Sequence, residues 1–203
     1  HLNLILKAAS LVMFAGGVFV LMVSPLLFRY AFEGRYDEGL RVMHWPMTYC
    51  VWYGLLLIAQ NYLWCAEKAK LATLPIAAGL VANIARHVVL IPAWGLLGAV
   101  VSTTMATGLA LAVLYFINRR VGMQIQPGLV WLSLAPAAMC GGAWTSLAVL
   151  AVVVAAMPFS KTLVTEPERK EIAAFVRGRL ERLAMYRSHG LTSVDTVEAT
   201  HAL

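Results

Sequence analysis

The stretch Leu80–Arg120 reads LVANIARHVVLIPAWGLLGAVVSTTMATGLALAVLYFINRR. Two apolar runs flank a corner, Pro92-Ala93-Trp94-Gly95-Leu96-Leu97-Gly98, and the first run contains Asn83, Arg86 and His87. Each run has the length of a membrane crossing, for which about 20 apolar residues suffice at 1.5 Å per residue. The reading is a pair of transmembrane helices joined by a short turn, with polar groups placed where lipid does not tolerate them unpaired.

The whole chain has the same character. Of its 203 residues, 61% are hydrophobic and only 13% charged, against about 25% charged in soluble domains; the mean hydropathy is +0.75. The uncharged residues fall in blocks: Ala8–Phe28, Val42–Cys65, Leu71–Ala85, Val88–Asn118 and Leu129–Ser160. Apart from Arg86 and His87, residues 71–118 lack charge. Short alternating segments, the mark of a transmembrane β-barrel, are absent, so backbone groups must be satisfied within helices. The expected fold class is all-α: a polytopic transmembrane helix bundle of five to six membrane segments with a C-terminal amphipathic cytoplasmic helix. The bundle takes residues 1–160, with spans at about 4–28, 42–65, 71–91, 97–118 and 129–160. The last of these, about 32 residues, is long for one straight span and short for two; Pro136, Gly141-Gly142 and Pro158 punctuate it, and of one long span or a tight hairpin the hairpin is favoured, because it returns the basic tail to the cytoplasm.

A basic segment, 161–187, comes next. Thr165 as N-cap with Glu168 three positions on forms a capping box, and Ile172, Phe175, Val176, Leu180 and Leu183 recur at helical spacing. Such a helix suits a cytoplasmic membrane surface; the polar remainder, 188–203, reads as a disordered tail. The chain starts at His1 with an apolar run too long for a signal-peptide core, and the expectation is the trailing part of a longer protein.

The net charge of +6 does not point to nucleic acid, because the cations lie in short loops and the tail. Lys7, Lys68, Lys70, Arg119 and Arg120 fall on one side of the predicted spans. Arg29, Arg35 and Arg41 fall on the other, beside three acids. The side richer in Lys and Arg is expected in the cytoplasm. The three cysteines, Cys50, Cys65 and Cys140, form no CxxC pair; Cys50 and Cys65 are about 22 Å apart along one helix, and all three are expected to act as small buried hydrophobes.

Asn83, Arg86, His87 and Thr103 are the substrate-binding or coupling candidates. Arg86 and His87 are ionisable groups inside a span; they fit either a polar cavity that contacts an anion or passes a proton, or an Arg that snorkels outward. Asn83 and His87 are four residues apart, on one helix face, and Ser102, Thr103 and Thr104 on the next run can meet that face. Such a seam binds an ion or substrate, or is ordinary interhelical hydrogen bonding. Arg35, Arg41 and His44 form a second cluster that could hold phosphate in an enzyme, or anchor a span at the interface. There is no zinc spacing, Walker loop, nucleotide fingerprint or nucleophile elbow. The chain is expected to be no enzyme, with no cofactor and no metal site.

The order Asn83…Leu90-Ile91-Pro92-x-x-Gly95-x-x-Gly98-Ala99…Ser102-Thr103-Thr104…Tyr115…Arg119-Arg120 resembles the C-terminal half of bacterial polysaccharide flippases. Their superfamily also holds multidrug and toxin exporters and the peptidoglycan-precursor flippase. Pro25-Leu26-Leu27-Phe28, the Glu67-Lys68-Ala69-Lys70 loop and the Thr165-Glu166-Pro167-Glu168-Arg169 helix start add to the resemblance, which covers about residues 4–183. It implies the ninth to fourteenth spans of a fourteen-span transporter in the cytoplasmic (inner) membrane. That transporter would flip undecaprenyl-diphosphate-linked oligosaccharide, with membrane lipid and a missing N-terminal lobe as its partners. An anionic substrate would give Arg86 a purpose. The seam offers no acid, which disfavours sodium coupling. The other readings are a multidrug or cation exporter of the same superfamily, a membrane-bound glycan polymerase or ligase, and a truncated, inactive product.

The charge asymmetry makes a topological prediction. With Cys50, Cys65 and Cys140 replaced, single cysteines at positions 68, 119 and 170 react with an impermeant maleimide from the same membrane face. A residue-170 cysteine labelled from the opposite face excludes a hairpin in 129–160.

Overall fold

A computed structural model describes residues 2–31 and 37–157; the predicted tail helix at 161–187 and the polar end lie outside the described residues. Among the described residues all regular structure is helical. The elements are α1 (Leu2–Ala31), α2 (Asp37–Val42), α3 (His44–Cys65), α4 (Thr73–Trp94), α5 (Leu96–Val121), α6 (Pro127–Leu134) and α7 (Ala143–Ala156). A 3₁₀ turn, Ala69–Ala72, leads into α4, and a longer 3₁₀ segment, Ala135–Gly141, joins α6 to α7. Three helical stretches among the described residues are long and apolar enough to cross a membrane: Leu2–Tyr30, Ala69–Trp94 and Leu96–Val121.

The helices pack as a row in the order α4, α5, α3, α1, with the α6–α7 segment laid against α1 and α3. Helix α3 is the inner member. Its Val51, Leu55, Leu56, Ala59 and Leu63 are buried and join Leu6, Phe14, Val18 and Leu21 of α1 and Leu111 and Leu114 of α5 in one core. Although 22 residues long, α3 carries Thr48, Tyr49, Tyr53, Gln60 and Asn61 and is not among the helices apolar enough to cross a membrane. Protein rather than lipid surrounds much of it, and there its polar groups find partners. Thr48 Oγ1 donates to His44 O at 3.1 Å and lies 3.3 Å from Pro136 O; Trp52 Nε1 donates to Ser133 O at 2.8 Å; Gln60 Nε2 donates to Ala72 O at 3.0 Å.

Helix α4 is the outer member, with only Pro75 and Gly79 fully buried. Val81, Val88 and Val89 on its far face are exposed, Val88 by 72%. Such a surface is out of place in water and ordinary in hydrocarbon.

Helix α4 continues through Pro92 to Trp94, three residues beyond the expected end, and the turn contracts to Gly95 alone. Proline lacks an N–H, so one α-helical bond is lost near the end of the helix, while Gly95 N–H closes the last turn on Ile91 O at 2.8 Å. Gly95 has φ 56 and ψ −128, a conformation that disfavours any side chain. Likewise α1 runs through Pro25 to Ala31.

The segment predicted at 129–160 is not a continuous α-helix where it is described. It breaks at Ala135–Gly141 and turns at Gly142, with φ 102 and ψ 178. Side chains take up several of its carbonyls: Ser10 Oγ donates to Leu132 O at 2.8 Å and Thr145 Oγ1 to Ala138 O at 3.1 Å. Irregular backbone at membrane depth is tolerated when protein satisfies it in this way.

At one end of the bundle, Asn118 Nδ2 donates to Ala59 O at 3.0 Å, Asn3 Nδ2 to Gln124 O at 2.6 Å, and Lys7 Nζ to Gln126 Oε1. These bonds gather the α1 start, the α3 end and the α5 end, so Lys7, Lys68, Lys70, Arg119 and Arg120 share that end, as the charge pattern requires. Lys7 is only 3% exposed and so is held inside the protein. The expectation of buried cysteines needs correction: Cys50 and Cys65 are exposed and Cys140 half-buried, because the first two lie on the outward side of α3, where lipid can serve as well as a core.

Two glycines separate space from conformation. A Cβ on Gly98 would lie 2.1 Å from Leu90 O, whereas one on Gly16 of α1 meets nothing within 4 Å. Gly98→Ala should therefore lower stability by about 1–3 kcal/mol, read as the midpoint of detergent-induced unfolding, while Gly16→Ala leaves it unchanged or slightly raised.

Candidate functional site

The α4–α5 hairpin is packed by small residues. Besides Gly98 against Leu90 O, a Cβ on Gly79 would lie 3.0 Å from Ala110 Cβ and 3.3 Å from Ala106 O. Small residues are what allow membrane helices to approach closely. These two contacts fix the antiparallel register: Leu90 opposite Gly98, Gly79 between Ala106 and Ala110, and hence Arg86 at the level of Ser102.

That level contains an unusual set of polar atoms. Asn83 Oδ1, Arg86 Nη1 and Ser102 Oγ are each buried without a hydrogen-bond partner, and Ser102 is 0% exposed. His87 Nε2 lies 3.4 Å from Thr103 Oγ1, which donates to Ala99 O at 3.0 Å. The four predicted residues are therefore neighbours along one seam, but they divide. Asn83 and Thr103 line a cavity of about 220 Å³ between α3, α4 and α5, together with Tyr49, Tyr53 and Thr107. Arg86 and His87 are not among its lining residues.

Arg86 is eight positions before Trp94, about 12 Å along the axis, and so further inside than one turn from the end. Its partly buried guanidinium is directed into the protein rather than freely outward. Other hydroxyls of α5 are committed elsewhere: Thr104 Oγ1 donates to Val100 O at 2.9 Å and lies 3.1 Å from Trp45 O, and Thr107 Oγ1 donates to Thr103 O at 3.0 Å.

A larger cavity, about 360 Å³, lies on the other side of α5, between α3, α5 and α6. Trp45, Trp52, Met105, Leu111, Val130 and Leu134 make it largely apolar; within it, Tyr115 Oη and Ser133 Oγ are 2.8 Å apart.

Tyr49 and Tyr53 escaped the sequence reading, whereas Ser102 was named there only as one of three neighbouring hydroxyls able to meet the Asn83–His87 face. The signal for the tyrosines was their i, i+4 spacing on α3, which puts both rings on one face; the aromatics of that span drew attention only at its ends, as interface anchors. Ser102 had no distinguishing signal, because only the register shows that nothing pairs with it. Of the alternative cluster, Arg41 is exposed and His44 half-buried, and Arg35 lies outside the described residues. Among the described residues no group of three or more His, Cys, Asp or Glu could hold a metal ion.

No family model, curated protein or solved structure matches the chain.

The two kinds of hydroxyl at this seam differ in their expected cost of removal. Thr104→Val gives up an interhelical bond and should lower stability by about 0.6–1 kcal/mol. Ser102→Ala removes an unpartnered buried oxygen, so stability should stay level or rise. Thermal unfolding in one detergent compares the two directly.

Proposed function

We propose that the chain is part of an alternating-access transporter that carries lipid-linked polysaccharide precursors across the cytoplasmic membrane, as the C-terminal half of a flippase. The observation that carries the reading is Arg86: a guanidinium inside an apolar hairpin, with one buried nitrogen unpartnered and two further unpartnered polar atoms nearby. An Arg at the centre of a span costs about 2.5–3.5 kcal/mol on insertion scales, a cost that an anionic ligand offsets. A diphosphate is the kind of anion that the planar donor fork of Arg recognises best. The apolar cavity beside Tyr115 supports the same reading, since it suits the hydrocarbon part of an amphiphile.

In this proposal α1, α4 and α5 cross the membrane, α3 is a fourth span shielded by the others, and the α6–α7 segment belongs to the remainder of the five to six. The end bearing Lys7, Lys68, Lys70, Arg119 and Arg120 faces the cytoplasm, and the Gly95 corner faces outward. A cation exporter of the same superfamily would hold its cargo with acids inside the membrane. Among the described residues the acids are Asp37, Glu38 and Glu67, on α2 and in the loop after α3, which favours the anionic cargo. A polymerase or ligase would need Arg35, Arg41 and His44 to converge on one external pocket.

In a cell whose surface glycan depends on this protein, Arg86→Ala should cut export at least tenfold, equivalent to about 1.4 kcal/mol, while the amount inserted in the membrane is unchanged. Arg86→Lys keeps the charge but not the planar fork and should retain part of the activity. Undiminished export by Arg86→Ala would overturn the proposal.

A further inference from the structure

The cavity between α3, α4 and α5 has a chemistry different from that of Arg86. No charged side chain lines it. On one side stand Tyr49 and Tyr53, whose rings stack on each other at 5.6 Å between centroids and 16° between planes. On the other side, the polar groups are Asn83, Thr103 and Thr107. The protons of both threonine hydroxyls are committed to backbone carbonyls, Thr103 Oγ1 to Ala99 O and Thr107 Oγ1 to Thr103 O. What each can offer a ligand is a lone pair. Asn83 Oδ1 is a buried acceptor without a partner, while the amide nitrogen of the same side chain provides donors.

We propose that this groove is a subsite for a single neutral, hydroxyl-bearing ring: one sugar residue of the cargo. The inference rests on the transport reading for its biological setting, but its chemistry comes from the lining. A sugar hydroxyl both donates and accepts, so adjacent hydroxyls can satisfy both ends of the Asn83 amide and donate to the threonine oxygens. The apolar C–H face of a pyranose needs a weakly polar surface, and the aromatic carbons of Tyr49 and Tyr53 in the lining supply one. An anion is disfavoured because acceptors and aromatic faces turn negative charge toward it. An organic ammonium would gain from the rings, but it has no acceptor to offer the amide donors, and no carboxylate lines the groove to balance its charge. The volume, about 220 Å³, is about seven times the ~30 Å³ that a water occupies in the liquid, a size for one ring rather than a chain. Tyr49, Tyr53, Thr103 and Thr107 lie about 8–16 Å along their helices from the corner end, close to the midplane depth at which transporters hold their substrates.

The test uses the intact protein in phosphatidylethanolamine–phosphatidylglycerol nanodiscs and ligand-observed saturation-transfer NMR. The probes are methyl glycosides of glucose, galactose, mannose, rhamnose and N-acetylglucosamine, with tetramethylammonium as the cationic competitor. At least one glycoside should show saturation of its ring protons above that in empty nanodiscs. That signal should fall at least fivefold in Asn83→Leu and in Tyr53→Ala, stay unchanged in Val88→Ala on the exposed far face of α4, and resist tetramethylammonium. Thr107→Val, a nearly isosteric change, serves as the mild variant if the others fold poorly, and should at least halve the signal. Absence of saturation for every glycoside, persistence of the signal in the groove variants, or its displacement by tetramethylammonium would overturn the proposal. Failure here is distinguishable from failure of the transport reading: the latter shows as normal glycan export by Arg86→Ala, an assay in which the groove is intact.

Discussion

The closeness of α4 to α5 is the constraint from which the polar seam arises. Lipid tails are as apolar as leucine, so helices in a bilayer gain little by hiding apolar side chains from one another; they gain by packing and by hydrogen bonding. Gly98 against Leu90 O and Gly79 against Ala106 and Ala110 bring the two backbones together at both ends of the seam. Once these contacts are made, the register leaves no freedom between them. Arg86 stands level with Ser102, and Asn83 and Thr103 turn toward α3. A bulkier residue at position 98 would thus shift the site as well as weaken the hairpin.

Helix α3 plays the complementary part. A helix carrying threonine, glutamine and two tyrosines is poorly suited to lipid, and it resides in the middle of the row, where each polar group can be answered. Thr48 and Trp52 reach carbonyls of the broken segment around Ser133 and Pro136, and Gln60 reaches the turn before α4. The dependence is mutual. The 3₁₀ stretch Ala135–Gly141 could not face hydrocarbon with its carbonyls bare, and the side chains of α3 and α1 are what make a broken helix tolerable there.

The parts of this architecture legible in the sequence are those set by length and hydropathy: α1, α4 and α5 as apolar helices, and the Lys and Arg residues gathered at one end. A helix over His44–Cys65 fills most of the stretch expected to span at 42–65, but it is not among the helices long and apolar enough to cross a membrane, and its inner position was not legible, because hydropathy does not distinguish a polar helix shielded by others from a poor span. The corner was recognisable by its glycines, yet the helix proceeds through Pro92, since a proline near a C-terminus forfeits only one bond. The site was half legible. Arg86 and Asn83 announce themselves as polar residues in an apolar run. Ser102 and the two tyrosines matter only because of which neighbours face them, and a register set by van der Waals contact at two glycines leaves no periodic trace.

The pattern of satisfied and unsatisfied groups argues that the seam is not merely a polar weld. Most buried hydroxyls in the bundle donate to a backbone carbonyl, as Ser10, Ser24, Thr48, Thr104 and Ser146 do. The fold therefore has the means to quench a polar group where it needs to. Five buried side-chain atoms among the described residues lack a partner: Asn3 Oδ1, Asn83 Oδ1, Arg86 Nη1, Ser102 Oγ and Asn118 Oδ1. Asn3 and Asn118 sit at the cationic end, and both use their amide nitrogens in bonds that tie helices together; their remaining oxygens are a by-product of that task. The other three fall together in the α4–α5 hairpin, where Arg86 and Ser102 offer donors and Asn83, turned toward the tyrosine groove, offers an acceptor. A leftover group costs about 1–3 kcal/mol in a protein interior, so three in one place form a concentrated liability. A ligand with an anionic part for Arg86 and a hydroxylated part for the groove would convert that liability into binding energy, and a glycosyl diphosphate has both.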